Sequence, residues 1–185
     1  MYRAFAVVST LALTLCSALA HTTALDDEAA SLAQEFVGRL QPQLKQAMEE
    51  GGPGMAIEVC SHQAPLIADT LSAESGWIIK RVSLKSRNAS RAVPDQWERA
   101  VLEDFDRRAA AGESPVTIHY SETTPSHYRH LQAQGAEGLC LMCHGKDLAP
   151  TVNEALELYY PDDMATGYTA GQVRGAISLT KSISR

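Results

Sequence analysis

One short run, Cys140-Leu141-Met142-Cys143-His144, constrains this chain more than any other feature in it. A Cys-x-x-Cys pair alone serves redox couples and half-sites for zinc. The histidine directly after it narrows the chemistry. The two-residue gap lets each sulfur add to one vinyl group of a haem, and the histidine then falls beneath the iron as proximal ligand. The motif predicts one covalent haem c, with thioethers at Cys140 and Cys143 and His144 on the metal. A zinc site would need two further ligands, and the sequence holds no second paired cluster. A thioredoxin-like motif would open a helix within a βαβ pattern, which is not read here.

The amino terminus supplies the compartment such chemistry needs. Met1-Tyr2-Arg3 is a short basic region, the run to Leu15 a short apolar core, and Ala18-Leu19-Ala20 a small-x-small cleavage site. This pattern predicts a signal peptide over residues 1–20 and a periplasmic protein. A lipoprotein cut before Cys16 is the competing reading, and Leu15 suits that cut poorly. Removing 20 of the 185 residues leaves 165, the size of a single domain over 21–185. Arg3 leaves with the signal, so the net charge falls from −6 to −7. An acidic chain argues against nucleic acid as a partner. No later apolar stretch is long enough for a membrane span.

Periodicity sets the fold class. Leu25, Ala29, Leu32, Phe36, Leu40, Leu44 and Ala47 form a helical stripe over 25–50, with Pro42 placed to kink or divide it. Gly51-Gly52-Pro53-Gly54 stops it, and a second helix follows from Met55 to about Ser72. Strands are predicted at 77–86, 116–121, 128–133 and 172–181. Between them lie a helix with Pro94 in its first turn, ended by Gly112, and a short helix through Val152 and Tyr159 ended by Pro161. Strands and helices do not alternate regularly, which predicts an α+β fold with an antiparallel sheet.

The second axial ligand decides what a haem here would do. Candidates are Cys60, His62, His119, His127, His130, Met55 and Met164. The two methionines read more simply as core packing, and the three later histidines as strand-face residues. Cys60 stands out twice. It is the one cysteine left once the signal and the haem have taken theirs, and it centres an apolar helix face. His62 falls on the opposite, polar face with Glu58 and Asp69. Lys80, Arg81, Lys85, Arg87 and Arg91 form a cation run without an acid among them. It reads either as a solvated strand edge or as a source of propionate partners, with Arg81 and Arg87 favoured.

At four places the chain resembles a family of extracytoplasmic haem domains, once known only as a domain of unknown function. The matching residues are Ala56-Ile57-Glu58-Val59-Cys60, Arg81 through Asn88 leading to Pro94-Asp95-Gln96-Trp97-Glu98, Cys140 to Gly145, and Ala165-Thr166-Gly167-Tyr168 through Arg174-Gly175-Ala176. The resemblance implies a PAS-like fold with a single c-type haem, His144 proximal and Cys60 distal. Members occur alone or as sensors in membrane-bound signalling proteins, whereas this chain carries no attached kinase or cyclase.

Thiolate with imidazole predicts a low potential and a role in redox sensing or electron transfer with a redox partner protein. Release of Cys60 on reduction would admit a small gas. The alternatives are a His/Met electron carrier, and a peroxidase- or reductase-like enzyme using His62 with Arg81 or Arg87 at an open iron.

Overall fold

The computed structural model describes the backbone of residues 6–183 and side chains from residue 22 onward. The signal peptide expected over 1–20, the Cys16 alternative and His21 therefore lie outside the described residues or side chains.

The long helix α1 spans Ala6–Ser75 and contains one non-helical residue, Gly52, at φ 70 and ψ −163. The break expected at the glycine run is thus real but one residue wide. Only glycine enters that region of φ without a steric penalty, and Pro53 then starts the second half where its missing N–H costs little. Pro42 does not divide the helix, and Pro65 also sits inside it. Each forgoes one helical hydrogen bond, and burial of neighbours such as Phe36, Leu40, Ala64 and Ala68 offsets the loss.

Four strands make one antiparallel sheet in the order β1-β4-β3-β2. They are β1 (Ile78–Val82), β2 (His119–Thr123), β3 (His127–Gly135) and β4 (Val173–Ser182). The α+β antiparallel class read from the sequence is the class observed. β1 is shorter than expected because the chain turns away at Ser83, whose N–H bonds Ala92 O across a loop. β2 starts later than its alternation suggests. Thr117 and Ile118 donate back to Ser114 and Pro115, so that stretch is a turn.

Alternate strand residues feed two cores. On one face Ile79, Tyr128, Ile177 and Leu179 pack with Trp77 against the α1 stripe of Leu25, Leu32 and Phe36. On the other, Val82, Leu131, Ala133 and Ala176 pack against α2 (Gln96–Ala110) through Val101, Leu102 and Phe105. Cores on both faces explain why central β4 is buried without a break from Gly175 to Leu179.

Pro94 lies before α2 rather than in its first turn. Asp95 is the N-cap and shares a reciprocal capping box with Glu98. Glu98 is fully buried, and its carboxylate accepts from Asp95 N at 2.8 Å, Lys80 Nζ at 3.0 Å and Ser178 Oγ at 2.7 Å. That knot ties α2 to both central and edge strands. The remaining elements are a 3-10 turn at Gly138–Cys140, the single-turn helix α3 (Leu141–His144) and α4 (Pro150–Tyr159). No helix among the described residues is long and apolar enough to cross a membrane.

Candidate functional site

The Cys140–His144 segment is too short to hold itself, so the surrounding chain holds it. Gly145 N–H closes α3 on Leu141 O at 2.9 Å. A side chain at 145 would run into that same carbonyl oxygen, so the tight exit needs glycine. A strap over residues 165–168 then lies along the motif. Gly167 N donates to Gly145 O at 2.8 Å and Tyr168 N to His144 O at 2.9 Å.

The strap also fixes the histidine ring. His144 Nδ1 donates to Ala165 O at 2.6 Å, which assigns the Nδ1–H tautomer and leaves the Nε2 lone pair free of a proton. Burial, with the Arg87 and Arg81 charges nearby, lowers the imidazole pKa to about 3. The ring is neutral at ordinary pH.

His144 opens onto a narrow cleft of about 80 Å³ that reaches solvent. Cys60 of α1, Arg81 of β1, Arg87 of the following loop and His144 of α3 all line it. Four residues singled out from separate parts of the sequence thus meet at one place. Cys60 is half-buried and unpaired, as are Cys140 and Cys143. Cys143 backs onto Ile57, Val152 and Leu156, and that burial pushes its thiol pKa up against the opposing pull of Arg87. The buried Tyr160 hydroxyl faces Cys60; burial first, and Cys60 second, raise the phenol well above its usual range.

The cation run divides by partner. Lys80 pairs with Glu98, Arg91 with Asp69, and Lys85 caps Thr166 O at 3.3 Å. Arg87 forms a fork on Asp163, Nε to Oδ1 and Nη2 to Oδ2 both at 3.1 Å, and Nη2 also reaches Cys143 O at 2.5 Å and Ala165 O at 3.2 Å. Arg81 differs. Its Nε donates to Gln134 Oε1 at 3.2 Å, and Arg174 Nη2 donates to the same oxygen at 3.2 Å. Among the described residues neither Arg81 nor Arg174 has a carboxylate within ion-pair distance.

The other candidate ligands lie elsewhere. His62 is exposed and edge-on to Tyr159 at 6.3 Å. His127 bonds Ser126 at the sheet end. His119 is exposed and stacks on His130, which is buried and bonded to Ser121 Oγ at 2.8 Å. Met55 and Met164 were expected as core packing and are instead exposed, at 38% and 62%. None of these six lines the cleft.

Arg174, Gln134, Tyr160, Asp163 and the Ala165 carbonyl are the residues that the sequence did not single out. Arg174 and Ala165 stand inside the matching segments quoted above, which is the signal that pointed to them. Nothing in the sequence marked Gln134, Tyr160 or Asp163.

Among solved structures, the chain matches the crystal structure of the cyanobacterial haem protein Tll0287 at 22% identity and a TM-score of 0.63, over 89% of this chain and 96% of that one. At that identity the likeness speaks for the fold. No curated protein matches the chain. A family model described as Tll0287-like matches residues 16–182, a span that takes in Cys60, the Cys140–Gly145 segment and every strand, and the chain therefore belongs to the Tll0287-like family.

Proposed function

We propose that this chain is an exported monohaem c-type cytochrome. Cys140 and Cys143 would hold one haem c covalently, His144 and Cys60 would supply its iron ligands, and the protein would serve redox sensing or electron transfer. The observation that carries this reading is that Cys60 and His144, distant in sequence, line the same cleft.

The residues present suit the group. An imidazole with its Nδ1–H already engaged offers the Nε2 lone pair a metal takes. A half-buried unpaired thiol supplies a second donor that becomes thiolate on binding iron. Arg81 and Arg174 bring two guanidinium groups to the cleft, and these suit two propionates better than Arg87, whose Nε and Nη2 face protein acceptors. The description of the solved relative as a haem protein supports the cofactor. The position of the last strand between the first and the third supports a PAS-like sheet. A periplasmic location and a cleaved segment over 1–20 belong to the same reading, because bacterial c-type haem is attached outside the cytoplasm.

The haem supplies a one-electron ferric–ferrous couple. A thiolate from Cys60 together with the His144 imidazole would favour the ferric state and hence a low potential. The electron comes from a redox partner protein. Cys60 would be the group able to take up a proton from solvent on reduction of a bound haem, and its release would leave room for a small gas, the second state a sensor needs. A His/Met carrier finds less support, since both candidate methionines lie outside the cleft. So does an enzyme built on His62, whose ring is exposed and off the cleft.

Electron paramagnetic resonance of the oxidised protein tests this. A low-spin thiolate signal that Cys60→Ala abolishes is expected. An identical spectrum in that variant removes Cys60 from the iron. Carbon monoxide binding by the ferrous protein is expected, and failure to bind at any pH removes the gas-sensor role.

A further inference from the structure

The acceptor that fixes the His144 ring is itself held by a cation. Ala165 O accepts from His144 Nδ1 at 2.6 Å and from Arg87 Nη2 at 3.2 Å. Arg87 is in turn clamped by Asp163, and both side chains are nine-tenths buried or close to it, at 10% and 7% exposed. Asp163 Oδ1 also accepts from the Ala165 N–H at 2.9 Å. Ala165, whose carbonyl His144 leans on, is therefore held at both its C=O and its N–H by one buried ion pair.

We infer that Arg87 and Asp163 are a pair of positioning residues that set how strongly His144 donates to the haem iron. This rests on the proposed function above, in which His144 is the proximal ligand. The argument is electrostatic. A carbonyl that accepts from a guanidinium has less electron density to offer a second donor. His144 Nδ1–H is then less polarised towards imidazolate, and Nε2 is a weaker donor to the metal. A weaker donor stabilises ferric iron less, so the potential sits higher than thiolate–imidazole ligation alone would place it. Asp163 opposes this by neutralising the guanidinium, and its bond to the Ala165 N–H keeps the residue in place. The buried setting keeps the opposed charges from being screened.

The same contacts explain why Arg87 stands where an arginine rather than a lysine is needed. Its fork meets both oxygens of Asp163 while Nη2 reaches the Cys143 and Ala165 carbonyls. A single ammonium on a flexible stem reproduces the charge but not that set of directions.

The two partners push in opposite directions, and that separates tuning from mere support. Spectroelectrochemical titration of the matured, haem-bearing protein is the test, with mass of the denatured chain reporting covalent attachment. Arg87→Gln is expected to lower the midpoint potential and Asp163→Asn to raise it, with Arg87→Lys giving a smaller fall than Arg87→Gln. If Arg87→Gln fails to mature, Arg87→Lys against Asp163→Asn still supplies the opposed signs. Potentials that stay put, or that move the same way in both variants while haem remains attached, overturn this inference alone. A wild-type chain that carries no covalent haem overturns the proposed function and this inference with it.

Discussion

Arg81 and Arg174 converge on a single amide oxygen, each donating to Gln134 Oε1 at 3.2 Å from strands that flank neither each other's start nor end in the sequence. Two like charges gathered by one neutral acceptor, beside a cleft, make a site for anions rather than a structural ion pair. Replacing either arginine by alanine is expected to leave the haem-free chain almost unchanged in stability and to cost the loaded protein about 2 kcal/mol, the scale of one charge-assisted hydrogen bond. Urea unfolding of both forms checks this; equal losses in the two forms would place these arginines in the fold alone.

Glu98 offers the opposite case, a buried carboxylate wholly committed to the protein. Glu98→Ala removes the capping box and leaves Lys80 and Ser178 without their acceptor. Breaking such a pair is expected to cost about 3 kcal/mol, the low end for buried pairs because Lys80 is itself partly exposed. Glu98→Gln keeps the shape and part of the hydrogen bonding, so it should cost less. Denaturant midpoints of the three chains give the order directly.

The stability of the fold also has an acid limb set by His130. Burial first, and the nearby His119 second, lower its pKa to about 4 from an ordinary 6.5, with Asp26 opposing. The unfolded chain therefore takes up this proton before the folded one does. Stability is full above the ordinary value and falls as the pH drops from about 6.5 to 4, by about 3 kcal/mol over the window. Unfolding free energies measured between pH 7 and 4 should fall more steeply in the wild type than in His130→Gln. Asp26, whose own pKa is lowered by Ser121 and Tyr128, adds its loss below that window rather than within it.

At Gly52 the cost is one of backbone alone. Nothing lies within 4 Å of a side chain added there, yet φ is +70. Gly52→Ala should destabilise the protein by about 1 kcal/mol through the left-handed conformation. A chain as stable as the wild type by thermal unfolding would mean that α1 tolerates a straighter path.

Much of this was legible before any coordinates. The stripe from Leu25 to Leu40 and the four strand patterns fell within a few residues of the observed elements, and the Cys140–His144 spacing picked out a segment whose histidine lines the cleft. Side-chain periodicity carries that information because it reports which face is buried. The Ser114–Pro115 turn overrode alternation at Val116, since local hydrogen bonds there outbid the strand. Strand order was not legible, because pairing is decided by packing between distant segments. Nor was the surrounding of His144. Its acceptor is a main-chain oxygen, which every residue possesses, and Asp163 looks in sequence like any acid in a loop. Arg87 was read as a propionate partner from charge alone, and only its geometry reveals the Asp163 fork.

Placing the last strand between the first and third has a consequence for assembly. Among the described residues β1 pairs with β4 alone, and the β2–β3 hairpin reaches β1 through β4. Were the chain exported amino end first, as the proposed function requires, residues 140–144 would emerge while the sheet is still two unjoined halves. Haem attachment would then act on an open substrate, and the fold would shut behind it when residues 173–182 arrive.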